Sequence, residues 1–200
     1  MKVKTRKQRY REINTADNKE LNACVIELAE RYLNDFPESK GAWLMYSIAL
    51  YRLDRFSDAK KSLSKTMELS EVSDDGFSWL LCRMGRIYEH SGNFLEAIKW
   101  FKKANKSDAS EATFLIYLGV MLLKTENYAE AVEILQKATQ CEKGCIEEAF
   151  YNLAVVRIAQ SNYEEAKICL EKAIEIDPKY KEAKQQLKDV TQVIAILETK

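Results

Sequence analysis

Apolar side chains recur along this chain at intervals of three and four residues, the period of a half-buried helix. Phe150, Leu153, Ala154 and Val156 make one such face, and Ala166, Leu170 and Ala173 another. Leu21, Val25, Leu28 and Tyr32 form a stripe near the start of the chain. Ala183, Leu187, Val190, Ile194 and Leu197 form one near its end, with Lys184, Gln185, Lys188 and Gln192 opposite. The 200 residues contain only six Gly and two Pro, too few breakers for a many-turned β fold. The pattern predicts an all-α protein.

The helical faces repeat. Ala59, Ala97, Ala131 and Ala166 are separated by 38, 34 and 35 residues, and Ala104, Ala138 and Ala173 follow the last three by seven. A period near 34 indicates stacked helix pairs. Each pair has a small residue on its first helix, at Gly85, Gly119 and Ala154, where the partner helix must come close. The turns Gly92-Asn93-Phe94, Glu126-Asn127-Tyr128 and Ser161-Asn162-Tyr163 correspond, and each Asn has Glu three residues later, at Glu96, Glu130 and Glu165. That is a capping-box arrangement for the second helix. An earlier unit is looser, with Trp43, Tyr46, Ser47, Phe56, Ala59 and Leu63, and Asp58 in the capping position.

These marks resemble the tetratricopeptide repeat. The last unit carries the resemblance through Phe150, Leu153, Ala154, Ala166, Leu170, Ala173 and Pro178. The second carries it through Leu81, Met84, Gly85, Tyr88, Ala97, Phe101 and Ala104, and the third through Leu115, Leu118, Gly119, Ala131, Leu135 and Ala138. Arg157 stands where the family has Tyr, and the first three units lack the closing Pro. The resemblance implies a right-handed superhelical solenoid of antiparallel helix pairs in one continuous domain. Four units are expected over 40–77, 78–111, 112–146 and 147–180. Residues 14–39 read as a degenerate leading repeat whose second helix spans about 18–35, capped by Asp17 and Glu20. Residues 1–13 read as a basic arm and 181–200 as a terminal capping helix, because a last repeat cannot leave its apolar face in water. Leu69 to Gly76 and Cys141 to Cys145, where the spacing lengthens, are expected as surface loops.

In the family the first helix of each pair lines a concave groove. Carried onto this chain, the resemblance implies a peptide-binding groove of Leu44, Ile48 and Tyr51, then Trp79, Arg83 and Arg86, then Ile116, Tyr117 and Val120, then Tyr151, Asn152 and Val155. The segment Phe114 to Leu123 has no polar face, so its groove side is expected to take an apolar peptide or amphipathic helix. The competing expectation is that the chain's own tail or a second copy fills that side. Arg83 and Arg86 lie one turn apart and suit a carboxylate or phosphate; pairing with Glu89 on a solvated face is the alternative. Family members that clamp the acidic tails of chaperones need Lys and Asn at set positions. Here those positions hold Leu44, Ile48, Arg83, Thr113 and Tyr117, or Cys82, Arg86, Tyr117, Glu148 and Asn152, so no such clamp is expected.

Composition narrows the function further. The chain is 46% hydrophobic, and 31 basic residues balance 31 acidic ones, so no overall field draws it to nucleic acid or an anionic membrane. The basic start, with Lys2, Lys4, Arg6, Lys7, Arg9 and Arg11, lacks the interleaved aromatics of a base-stacking surface and reads as a solvated or weakly helical tail. It has no apolar core segment and is not a secretory signal. The ten-residue apolar run ending at Leu123 is about half the roughly 20 residues needed to cross a bilayer. Five cysteines, Cys24, Cys82, Cys141, Cys145 and Cys169, read as free thiols of a cytoplasmic protein. Cys141 and Cys145 have no second pair at zinc-site spacing, and His90, the only histidine, has no partners for catalysis. Neither metal nor cofactor nor catalytic residue is expected. The sequence therefore points to a non-enzymatic interaction scaffold that binds another protein or peptide. The alternatives are a secretion-type client chaperone and a self-associating structural component, the latter a homodimer through residues 188–200.

Overall fold

The computed structural model describes residues 4–199, and among them eleven α-helices follow one another with short connections. Met1, Lys2 and Val3 of the basic arm and Lys200 of the terminal helix lie outside the described residues. Backbone contacts divide the chain into two units, one ending at Asn93 and one beginning at Phe94. The N-terminal unit contains α1 (Arg6–Asn18), α2 (Asn22–Asp35), α3 (Lys40–Arg52), α4 (Phe56–Glu68) and α5 (Phe77–His90). The C-terminal unit contains α6 (Phe94–Ser107), α7 (Ala112–Lys124), α8 (Tyr128–Ala138), α9 (Ile146–Ala159), α10 (Tyr163–Ile176) and α11 (Lys181–Glu198). The fold is an all-α helical-repeat solenoid built from antiparallel helix pairs.

One chain reversal is used five times. After α1, α3, α5, α7 and α9 a single residue turns to positive φ: Glu20, Asp54, Gly92, Glu126 and Ser161. In each case two backbone bonds close the helix end in the crossed pattern of a Schellman motif. After α9, Ser161 N–H donates to Ile158 O at 2.8 Å and Asn162 N–H to Arg157 O at 2.8 Å. After α1, Glu20 N–H donates to Asp17 O at 2.8 Å and Leu21 N–H to Ala16 O at 3.0 Å. Identical chain reversals make α1 and α2 a helix pair of the same kind as the four that follow.

This corrects the expected solvated arm. Residues 6–18 are helical, and Thr5 caps them in a reciprocal bond pair with Gln8. The basic side chains are absorbed by α2 and the turn after it. Arg6 donates from Nε to the Tyr32 hydroxyl at 3.2 Å, pairs with Glu38 at 2.9 Å and lies over the Phe36 ring at 4.6 Å. Arg9 pairs with Asp35 at 2.5 Å and donates to Arg31 O at 2.6 Å. Ile13 and Ala16 are buried. Asp17 lies inside α1 rather than capping α2, and Leu21 precedes α2 with no side-chain cap.

The repeating alanines form the centre of the packing. Ala59, Ala97, Ala131 and Ala166 are fully buried, as are Ala104, Ala138 and Ala173. Asn162 accepts a bond from Glu165 N–H at 3.3 Å as the capping pattern predicts. Asn127 departs from the pattern: its amide donates to the Glu130 carboxylate at 2.8 Å and does not cap the backbone. Asp58 lies in the first turn of α4 and pairs with Arg55 at 2.7 Å. The loop Cys141 to Cys145 is pinned to the start of α7 by Ala112 N–H to Lys143 O at 2.9 Å and Lys143 N–H to Ser110 O at 3.1 Å. At the C-terminus Ala183 and Val190 of α11 bury against α10, with Leu187 and Ile194 beside them.

Candidate functional site

The first helices of the repeats, α3 and α5 in one unit and α7 and α9 in the other, carry the residues expected to meet a partner. Each helix buries one face against its own second helix. What remains is a narrow stripe at helical spacing, and it differs between the units.

In the N-terminal unit, Leu44, Ile48 and Tyr51 are half-buried on α3. Tyr51 is held edge-on against Phe56 at 5.8 Å and His90 at 5.2 Å, and Arg86 lies 5.9 Å from its ring centre. Burial pushes the Tyr51 pKa up, and the positive charge of Arg86 opposes the rise. His90, expected as a helix-end cation, also packs on Phe56 at 5.8 Å. On α5, Trp79 is 43% exposed and Arg83 is exposed one turn further on. Crowding by surrounding atoms, together with the charges of Arg52 and Arg86, lowers the Arg83 pKa. A side chain that keeps water contact while many atoms surround it lines a concave surface. Arg52, which sequence reasoning left out, belongs to this cluster. It sits in the last turn of α3 and pairs with Asp17 of α1 at 3.2 Å.

In the C-terminal unit Ile116 does not line a surface. It is 2% exposed and packed with Ala112, Leu115, Ala138 and Ala149. The all-round apolar character of α7 is explained mainly by the chain's own packing, because Phe114, Leu115, Leu118, Met121 and Leu122 are buried too. Tyr117 and Val120 are the half-buried apolar positions at groove spacing on this helix. Tyr117 stacks on the buried Phe101, with ring centres 5.3 Å apart and planes at 20°. On α9, Tyr151, Asn152 and Val155 are half-buried. The Asn152 amide donates to Glu148 O at 2.8 Å, which fixes its orientation. Tyr151 lies 5.2 Å from Tyr180, the residue just before α11. Burial, reinforced by Glu148, pushes the Tyr180 pKa up to about 12, so this hydroxyl stays neutral. Tyr180 could have been found from sequence as the aromatic following the terminal Asp177-Pro178.

The same unit has a second hollow of about 720 Å³ between α8 and α10, floored by Phe150 and Leu153 of α9. It is bordered by the Arg157–Glu165 ion pair at 2.7 Å. Trp100, on the second helix α6, has Lys103 over its ring at 4.1 Å. Cys141 and Cys145 are free thiols whose pKa is raised by burial first and by nearby carboxylates second, so they are poor nucleophiles at neutral pH. Among the described residues, no three or more His, Cys, Asp or Glu side chains come together as a metal site. No helix among them is long and apolar enough to cross a membrane.

Models of the tetratricopeptide repeat match residues 82–144 and 147–180. Human sperm-associated antigen 1 is 28% identical over 148 residues, which is 71% of this chain and 16% of that protein. The chain thus spans a small part of that relative's length. Among solved structures, the C-terminal part of a repeat-containing protein from Cytophaga hutchinsonii superposes with a TM-score of 0.77. It is 16% identical, over 90% of this chain and 69% of that one. YrrB, described as a repeat protein with an unusual peptide-binding site, superposes with a TM-score of 0.68. It is 18% identical, over 88% of each chain.

Proposed function

Because this chain belongs to the tetratricopeptide-repeat family of protein-interaction scaffolds, we propose that it binds a peptide or amphipathic helix along the first-helix stripes. The observation that carries this reading is the pair of half-buried stripes in the C-terminal unit, Tyr117 with Val120 on α7 and Tyr151 with Val155 on α9. Their rings are backed by Phe101 and Tyr180 and so present rigid apolar area at little entropic cost. Leu44, Ile48, Tyr51, Trp79, Arg83 and Arg86 extend the same role in the N-terminal unit; Ile116 is removed from the set by its burial. The four repeats over 40–180, the pair before them and the helix after them are read as one continuous domain.

The reading includes no catalytic centre, no cofactor and no chaperone-tail clamp, since Leu44, Ile48, Thr113 and Tyr117 occupy the positions a clamp would fill with Lys and Asn. Neither nucleic acid nor membrane is a partner: the cations of α1 are spent on Tyr32, Asp35 and Glu38. A reducing compartment, the cytoplasm, suits five free cysteines.

Truncating a central anchor tests the reading. Tyr117→Ala is expected to weaken binding of a partner peptide by more than about 1 kcal/mol by titration calorimetry. Val155→Ser, which leaves the Phe101 stack intact, should weaken it in the same direction. Unchanged affinity in both variants rejects the stripe as the binding surface.

A second reading, self-association, draws on the end of α11. Ile196 and Leu197 are 58% and 53% exposed there. Deleting residues 188–200 should then give soluble monomer by light scattering, and aggregation would instead mark that helix as an internal cap.

A further inference from the structure

Three arginines of the N-terminal unit converge from two helices. Arg52 ends α3, and Arg83 and Arg86 lie one turn apart on α5. Like charges this close repel unless anions lie between them. Asp17 is the acid whose field reaches Arg83, and it is already ion-paired with Arg52. Arg86 is drawn toward Tyr51, where Glu89 also acts. Among the described residues no ion pair forms at Arg83, so the expected pairing with Glu89 is not made. Trp79, exposed one turn before Arg83, adds an aromatic wall.

We propose that Arg52, Arg83 and Arg86 form a site for one carboxylate from an acidic segment of a partner protein. The proposal rests on the peptide-binding reading and gives that peptide its charge. Charge balance selects the ligand. Three guanidiniums faced by Asp17 and Glu89 leave one positive charge, which one carboxylate neutralises and a phosphate dianion would overshoot. Arg83 supplies the fork that a carboxylate accepts in two parallel bonds. Arg52 and Arg86, anchored on Asp17 and Tyr51, hold the surrounding potential positive.

An array of synthetic peptides, each position sampling the ordinary residues and phosphoserine, tests this with the intact chain. Peptides bound by the unaltered protein should be enriched in Asp and Glu. Arg83→Gln should abolish that enrichment and weaken the acidic binders about tenfold or more. Arg83→Lys, which keeps the charge but loses the fork, should retain part of the affinity. Raising salt should weaken binding to the unaltered protein more than binding to Arg83→Gln.

If bound peptides are apolar, depend on Tyr117 and show no acidic preference, the carboxylate site is overturned and the peptide-binding reading stands. A preference for phosphoserine over Glu at the Arg83-dependent position also overturns it. If no peptide binds, both fall together.

Discussion

Leu135 of α8 occupies the space that a Cβ on Gly119 of α7 would fill: its Cγ would lie 2.5 Å from that atom. The two helices approach closely because position 119 carries no side chain, and Leu135 is fully buried as a result. Gly119→Ala should therefore destabilise the protein by about 1–3 kcal/mol through overpacking, in spite of alanine's better helix propensity. Urea unfolding measures the loss. The same substitution in a Leu135→Ala background should be less harmful, because the clash and the cavity compensate.

The five helix-pair turns yield a stability prediction of opposite sign. Glu20, Asp54, Glu126 and Ser161 hold φ between 54° and 60°, where glycine alone is unstrained; Gly92 is the turn that has it. Glu126→Gly should raise stability by roughly 0.5–1 kcal/mol, and Gly92→Ala should lower it by about 1 kcal/mol. Thermal unfolding followed by circular dichroism should show the two midpoints moving in opposite directions.

Alkaline stability should be limited by two tyrosines. The pKa values of Tyr46 and Tyr180 are both pushed from 10.0 up to about 12, chiefly by burial. Tyr46 donates its hydroxyl to Glu30 at 2.7 Å, which reinforces its shift. A group whose pKa rises on folding contributes stability that is complete below the unfolded value and lost as pH climbs through the folded one. Stability should thus fall between pH 10 and about 12. Tyr180→Phe should flatten that decline, as read from denaturant midpoints across the range.

The first helix gives a direct test of the N-terminal pair. Ile13 is fully buried, so Ile13→Ala should destabilise by about 2–5 kcal/mol. Replacing Arg9, whose ion pair is solvent-screened, should change stability by no more than about 1 kcal/mol. A solvated arm would show no effect of either substitution on the unfolding midpoint.

The repeats were legible because their marks are packing marks. Ala97, Ala131 and Ala166 are small where helices touch, and no other residue type fits there at that spacing. The α1 helix was not legible, because its stability comes from outside its own sequence. Ile13 and Ala16 are its buried residues, and its other anchors are cations that read as solvated until Tyr32, Asp35 and Phe36 are placed beside them. Ile116 was misjudged for a related reason. A helix apolar on every side leaves no polar stripe to show which face is open, and α9, through Ala149, covers Ile116. Arg52 was missed because it ends α3 next to the turn, outside the positions read as groove, and the chain fold alone carries it to Arg83.

Site-specific photocrosslinking in native lysate tests the central claim most directly. A benzophenone residue is placed in turn at Tyr117 and Tyr151, on the first-helix stripes, and at Ile168, exposed on α10. Adducts to a different protein from positions 117 and 151, and none from 168, are the predicted result. Adducts from 168 alone, or from any position only to another copy of this chain, would contradict the account.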